Sequence, residues 1–300
     1  MAHDLRFQVI TLPGPSWEVV CERFKYLEQL GFDLATVGDH FVDWTNPPAP
    51  WFEAWTLLAA LARETSRIRI ATYVTQFPLR YPAMLARQAL TVDHISGGRL
   101  DLGLGTGLVI DPSYDMAGLP NYPAKERVVR FREYVELVDK LLSNEKTTYE
   151  GEYYWVKETM MNPRPVQSPR PPIVIAALGP KMLKITAEFA DNWNSLSFAE
   201  EFDAQIAETK ERIARIDEAC AGLGRDPASL RRSFLMFDPG SRASGGGIAY
   251  YESVDAFTER AERLIELGIT EIGLYFPTVD AQRPVLEKIA SDVIPKLKSR

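Results

Sequence analysis

The sequence predicts an α/β protein, a (β/α)8 barrel in which residues 1–300 form a single domain. Two observations carry the prediction. Short β-rich runs alternate with helical patterns along the whole chain, and such alternation builds a parallel sheet. Eight of these units fit within 300 residues, a length at which a parallel sheet can close on itself. A doubly wound open sheet is the competing topology.

The first strand is read at 5–10. Trp17, Val20, Phe24 and Leu27 follow at helical spacing, and Gly31 stands where that helix should end. Strand two is 33–37 and the second helix 52–64. Strand three is 67–74, followed by a helix over 82–95 that Gly97 and Gly98 close. Strand four is 99–104. Val128, Phe131, Val135, Val138 and Leu142 then mark one face of a long fourth helix. Strand five, 173–177, leads into a helix over 180–189 with Pro180 in its first turn, where a missing N–H costs nothing. Strand six is 193–196, helix six 200–223, strand seven 231–237, helix seven 253–267 with Gly268 after it, strand eight 271–276, and the last helix 281–298.

Three long connections follow strands, at 41–51, 105–123 and 238–252, and in a barrel those are the loops that carry function. A fourth long segment, 143–172, precedes strand five. Its runs 147–149 and 153–156, parted by Glu150-Gly151-Glu152, read as a small hairpin. Pro163, Pro165, Pro169, Pro171 and Pro172 then force an extended approach to the strand. This segment is read as structural cover.

A net charge of −7 makes nucleic acid or an anionic membrane a poor partner. A small anionic ligand remains compatible, because backbone dipoles can hold a phosphate within an acidic protein. Cys21 and Cys220 lie in helical stretches without paired spacing and read as reduced thiols, in keeping with a cytoplasmic protein. The first residues do not read as a secretory leader, and no apolar run approaches the roughly 20 residues of a membrane span. Only His3, His40 and His94 are available as imidazoles, too few for a histidine-rich metal site, and none is expected.

Gly38-Asp39-His40-Phe41 ends strand two. An imidazole there is placed for proton transfer near neutral pH, with Asp39 beside it to orient it or to contact a ligand. A surface histidine at a loop start is the competing reading. His94, in the last turn of helix three, suits the helix dipole and reads as structural, and His3 reads as a disordered end. Gly103-Leu104-Gly105-Thr106-Gly107 ends strand four. Its spacing does not match a dinucleotide fingerprint, so it reads as backbone that a flat ligand can approach closely. Ala176-Ala177-Leu178-Gly179-Pro180-Lys181 runs into a helix N-terminus, a ready phosphate site to which Lys181 adds charge; close strand–helix packing would also demand small residues there. Phe41, Trp44, Trp51, Phe77, Tyr114, Tyr122, Tyr250 and Tyr251 suggest an aromatic wall for a planar ligand, or rings that cap the barrel. Gly245-Gly246-Gly247 suggests a mobile lid or plain disorder.

Together these motifs resemble the bacterial luciferase-like superfamily of TIM barrels, and more closely its branch of oxidoreductases that use the deazaflavin coenzyme F420. The resemblance also rests on Phe52-Glu53-Ala54-Trp55, Leu85-Ala86-Arg87-Gln88-Ala89, Asp93-His94-Ile95-Ser96-Gly97-Gly98-Arg99, Pro163-Arg164-Pro165-Val166-Gln167, Gly179-Pro180-Lys181-Met182-Leu183 and Ala190-Asp191-Asn192-Trp193-Asn194. It implies a cofactor ring at the C-terminal face of the barrel. His40 would sit near the reactive ring face, Asp39 near the ring or side-chain hydroxyls, and Trp44 would match an active-site tryptophan. A non-prolyl cis peptide is implied at Tyr73–Val74, in a bulge behind the ring. Gly105, Thr106 and Gly107 would line the ring edge, and the amides of Ala176, Ala177, Leu178 and Gly179 would bind the phosphate.

The chain departs from this pattern at one place. The deazaflavin-dependent sugar-phosphate dehydrogenases carry a glutamate immediately after the last glycine of the strand-four motif, where this chain has Leu108. Leu108-Val109-Ile110 points to an apolar substrate instead. The resemblance therefore implies hydride transfer between deazaflavin and a small organic substrate. An FMN-dependent monooxygenase supplied by a separate reductase is the first alternative, and a non-catalytic cofactor carrier the second. A homodimer is the assembly common among relatives.

Overall fold

A computed structural model describes residues 3–299. In chain order the elements are β1 (Arg6–Thr11), α1 (Trp17–Leu30), β2 (Leu34–Asp39), α2 (Ala54–Glu64), β3 (Arg69–Gln76), α3 (Pro82–Ser96), β4 (Leu100–Gly105), the single turn α4 (Ser113–Met116), α5 (Ala124–Ser143), β5 (Lys146–Glu150), β6 (Trp155–Met160), β7 (Ile173–Ala176), α6 (Pro180–Phe189), β8 (Asn192–Ser195), α7 (Phe202–Gly222), β9 (Arg231–Leu235), the short α8 (Pro239–Ser244), α9 (Val254–Glu266), β10 (Glu271–Tyr275), α10 (Arg283–Lys288) and α11 (Ile294–Lys298). Eight strands close into a parallel barrel in the order β1-β10-β9-β8-β7-β4-β3-β2, as the alternation predicts, and the open sheet is excluded. β5 and β6 form the separate antiparallel hairpin read from 147–156, each strand longer than its sequence signal. Glu133 of α5 holds the hairpin's turn by accepting the amides of Glu152, Tyr153 and Tyr154.

Contacts divide the chain into two compact units, one of residues up to 11, 26–35 and 177 onward, the other of 12–25 and 36–176. In the first, β1, β8, β9 and β10 carry apolar residues such as Phe7, Val9, Phe234, Ile272 and Leu274 into the core. Phe257, Ala261 and Leu264 give α9 a buried stripe, and Ser253 caps that helix by accepting the amide of Ala256 at 3.0 Å. A charge lies within this packing. Glu271 is fully buried and accepts from Arg6 Nε at 2.7 Å and Asn192 Nδ2 at 3.0 Å. Burial pushes its carboxyl up, but Arg6 outweighs burial and holds it below the usual carboxylate range.

In the second unit β3 and β4 are out of step. Ala71 pairs with Asp101 but Thr75 with Leu104, so one extra residue bulges from β3 between them. The Tyr73–Val74 bond in this bulge is cis, as the resemblance implies. A Cβ at Gly103 would stand 1.9 Å from the Thr72 carbonyl oxygen, and one at Gly105 would stand 2.5 Å from Val74 Cγ2. The neighbouring bulge thus by itself requires glycine at those two positions.

Several element limits move. β2 extends to Asp39, so that Asp39 lies in the strand. The last helix is not continuous. Pro295 has no N–H to give and its ring crowds the preceding turn, and the helix widens to a π-turn over Ile289–Val293. The glycine run after β9 is not an open lid. Asp238 caps α8 by accepting the amide of Ser241, Gly245 ends it at φ 68°, and the Gly246 carbonyl accepts from Ser241 Oγ and Thr278 Oγ1. His3 is not a free end, since its Nε2 lies 3.2 Å from the Ser229 carbonyl. Cys21 and Cys220 are free and buried.

Candidate active site

His40 is the first residue beyond β2, at the C-terminal end of the strand. Its backbone carbonyl accepts from Trp51 Nε1 at 2.9 Å, and the Trp51 ring meets the imidazole edge-on at 5.7 Å between centroids. Its Nδ1 lies 2.6 Å from Oδ2 of Asp111, in the loop after β4. Asp111 is buried at the carboxylate. Burial pushes its carboxyl up, but hydrogen bonds from His40, Gln76 and Ser113 outweigh burial and hold it down at about 2. The amide of Ser113 donates to Oδ1 at 2.8 Å, and Gln76 Nε2 donates to Oδ2 at 2.9 Å.

Donor counting fixes the imidazole tautomer. An ionised Asp111 only accepts, so the Nδ1 that faces Oδ2 carries the hydrogen. Gln76 Nε2 also lies 2.7 Å from Nδ1, but its two hydrogens are used on Asp111 and on the Asp39 carbonyl at 3.1 Å. The contact with Nδ1 is therefore close packing of two donors held by one carboxylate. The Gln76 amide is in turn oriented by Tyr114, whose hydroxyl donates to Oε1. Burial raises the Tyr114 phenol above its usual range despite Arg127 beside it, which keeps it a donor. Arg127 lies 3.3 Å from that hydroxyl and ties the loop with bonds of 2.7 Å to the carbonyls of Thr106 and Tyr122. Among the described residues nothing bonds to His40 Nε2, so this nitrogen presents a lone pair.

Asp39 does not orient the imidazole. Its carboxylate is buried and held two-pronged by Arg80, which also reaches Glu53 at 3.1 Å; Glu53 caps α2 by accepting the amide of Thr56. The carboxylate that orients His40 is that of Asp111. Gly107 is required by this network. At φ 68°, a Cβ there would stand 2.0 Å from the Tyr114 hydroxyl and 2.2 Å from Gln76 Oε1. Thr106 and Leu108 flank it, half-buried, while Val109 and Ile110 are exposed. Trp44 is half-buried in a turn that Asp43 closes by accepting the amide of Thr45 at 2.9 Å.

The expected wall of rings breaks up. Phe77, Tyr114, Tyr250 and Tyr251 are core side chains, Trp51 and Tyr122 are half-buried, and Phe41 is exposed beside His40. At the start of α6 no side chain caps the helix; Gly179 and Lys181 are exposed, and open space surrounds the Gly179 Cα. Ala176 is half-buried at the end of β7 and Leu178 half-buried beyond it. The amide of Ala177 is already given to the Asn194 carbonyl at 3.0 Å, and its carbonyl accepts from Trp193 Nε1 at 2.9 Å, so Ala177 has no amide left for an anion. His94 donates from Nε2 to the Arg164 carbonyl at 2.6 Å, a structural bond as read.

Sequence reasoning missed Asp111, Gln76, Arg80 and Arg127, and took Tyr114 only as a ring of the aromatic wall. Asp111-Pro112-Ser113 carries a turn signal, but nothing local ties it to His40, 71 residues earlier. Fold and site together define a (β/α)8 barrel with an imidazole held by a buried carboxylate at the mouth of its second strand. Residues 5–237 match the luciferase-like monooxygenase family, and the chain belongs to this family of oxidoreductases. It is 26% identical to an F420-dependent glucose-6-phosphate dehydrogenase of Intrasporangium calvum over 90% of this chain and 92% of that protein. It is 34% identical to the enzyme of the same name from Segniliparus rotundus over 71% of this chain and 62% of that protein. Its fold matches an F420-dependent secondary alcohol dehydrogenase in complex with an F420–acetone adduct, at a TM-score of 0.83 and 19% identity over 99% of this chain and 100% of that one.

Proposed function

We propose that this chain is a coenzyme F420-dependent oxidoreductase acting on a small, apolar organic substrate. The observation that carries the reading is His40, held at Nδ1 by Asp111 and open at Nε2. The cofactor class is supported by relatives named for F420 dependence that align along nine-tenths of the chain. The residues present fit such a group, since the uncapped N-terminus of α6, with exposed Gly179 and Lys181, suits an anionic phosphate.

When bound, the deazaflavin supplies the hydride-carrying carbon. Tyr73, Val74, Gly105, Thr106 and Gly107 would line the ring, and the amides of Leu178 and Gly179, with Lys181, would hold phosphate. His40 would exchange a proton with the substrate oxygen at Nε2, and Trp44 would pack against the substrate and orient it. Phe41, next to His40, and Val109 and Ile110, in the loop that carries Asp111, are exposed apolar groups, and Leu108 removes the acid that a sugar-phosphate site would place there. These side chains favour an uncharged alcohol or ketone over a phosphorylated sugar.

Fluorescence titration of the purified protein with F420 and, separately, with FMN tests the cofactor. Tight binding of F420 is the expected result. Binding of FMN alone would replace this reading with that of a monooxygenase fed by a separate reductase. His40→Ala should bind cofactor almost as before but turn over on the order of 10²-fold more slowly. Wild-type turnover in that variant removes His40 from the chemistry. Cofactor binding with no hydride exchange across a panel of alcohols, ketones and enones would mark a carrier.

A further inference from the structure

Leu108 leaves the loop after β4 without an acid at the position where the resemblance places one, yet three residues later the same loop returns a carboxylate to the imidazole. We propose that Asp111 is the positioning residue for His40, fixing its Nδ1–H tautomer so that Nε2 faces substrate as a proton acceptor, with Gln76 and Tyr114 holding Asp111 and the loop in register. The proposal rests on the proton exchange assigned to His40 above.

Asp111 receives hydrogens on both oxygens: Oδ1 from the Ser113 amide at 2.8 Å, Oδ2 from Gln76 at 2.9 Å and from His40 at 2.6 Å. Each of these donors is itself fixed. The Ser113 amide belongs to the turn that opens α4, and the Ser113 hydroxyl accepts the amide of Phe41 at 3.1 Å, pinning the residue after His40 to the same loop. Gln76 ends β3 and its carbonyl oxygen is taken by Tyr114. The imidazole is thus gripped from β3, from the loop after β4 and through its own backbone. A proton received at Nε2 arrives on a ring whose other N–H already faces a carboxylate, so the ring need not turn to take it.

Asparagine at 111 keeps the shape and inverts one atom. The asparagine oxygen can serve only one side; kept on the Ser113 amide, it leaves the NH2 facing His40. A donor now faces Nδ1, and the favoured tautomer becomes Nε2–H, with no lone pair for the substrate proton.

The chain has three histidines, so a ¹⁵N-histidine sample gives a spectrum simple enough to assign by comparison with His40→Ala. Two-bond ¹H–¹⁵N correlations, read at a pH where the ring is neutral, should show His40 as Nδ1–H in the wild type and Nε2–H in Asp111→Asn. In the same variant kcat should fall on the order of 10²-fold or more with KM within a few-fold, because the ring is present but wrongly protonated. A wild-type His40 in the Nε2–H form overturns the proposal, and that spectrum decides even if Asp111→Asn does not fold. So does a variant that inverts the tautomer yet keeps wild-type kcat, or one that keeps the Nδ1–H form. The spectra need no cofactor, so their outcome is separate from the F420 titration, which tests the broader reading.

Discussion

Replacing Gly107 with alanine isolates what the network around His40 is worth. Two costs separate cleanly. An alanine held at φ 68° pays about 1–2 kcal/mol for its left-handed backbone. Its Cβ would also stand 2.0 Å from the Tyr114 hydroxyl and 2.2 Å from Gln76 Oε1, so Tyr114 must retreat by roughly the 1 Å that separates such a contact from van der Waals distance. That breaks its bond to Gln76 inside the core, and a buried polar group left without a partner costs about 1–3 kcal/mol. Gly118 provides the control. It lies in the same loop at φ 67° with nothing within 4 Å of an added Cβ, and it should pay the backbone cost alone. Gly107→Ala should therefore be less stable than Gly118→Ala by about 1–3 kcal/mol in urea unfolding followed by tryptophan fluorescence. Its turnover should also fall on the order of 10²-fold, since a 1 Å shift is passed through Gln76 to Asp111 and the imidazole. Equal stability and equal activity in the two variants would refute the idea that Gly107 exists to admit the Tyr114–Gln76 bond.

Two further outcomes follow from buried charge. Asp111 has its carboxyl depressed to about 2 in the folded state against 3.8 for an ordinary aspartate, so it adds stability above pH 4 that is lost as pH falls toward 2; urea stability measured across that window should slope less steeply in Asp111→Asn than in the wild type. Glu271→Ala should cost about 3 kcal/mol or more by removing the buried acceptor that Arg6 and Asn192 share, read as a shift in urea midpoint at constant slope.

The barrel was legible because each of its signals is local. Gly31, Gly97 and Gly268 end helices at positive φ where the pattern places them, and the spacing of Phe131, Val135, Val138 and Leu142 reports a buried face directly. His40 was legible for the same reason, since it follows a strand. Its partner was not. Asp39 adjoins it in sequence, but consecutive residues at the end of a strand point to opposite sides, and Asp39 turns to Arg80 while the carboxylate on the imidazole comes from the next strand's loop. The glycines of the strand-four motif carry a second demand that the sequence hid. Gly103 and Gly105 give room to β3 and Gly107 to Tyr114. A sequence shows that a side chain is missing without showing what occupies the space. The break in the last helix was missed although Pro295 marks it, and the π-turn beside it buries Ile289 and Val293.

The loop after β4 has two parts with different freedom. Its base is fastened at Gly107, Asp111, Ser113 and Tyr114, each joined to the imidazole or to its supports. Its tip, Val109 and Ile110, is exposed, and the bonds that hold it, Asn121 to the Val109 carbonyl and the Asp111 amide to the Leu108 carbonyl, run through backbone that any residue supplies. Substitutions at Val109 and Ile110 can therefore accumulate without touching the bonds around His40. On the function proposed above, a loop of this build would let substrate choice drift at the tip while the base keeps its bonds.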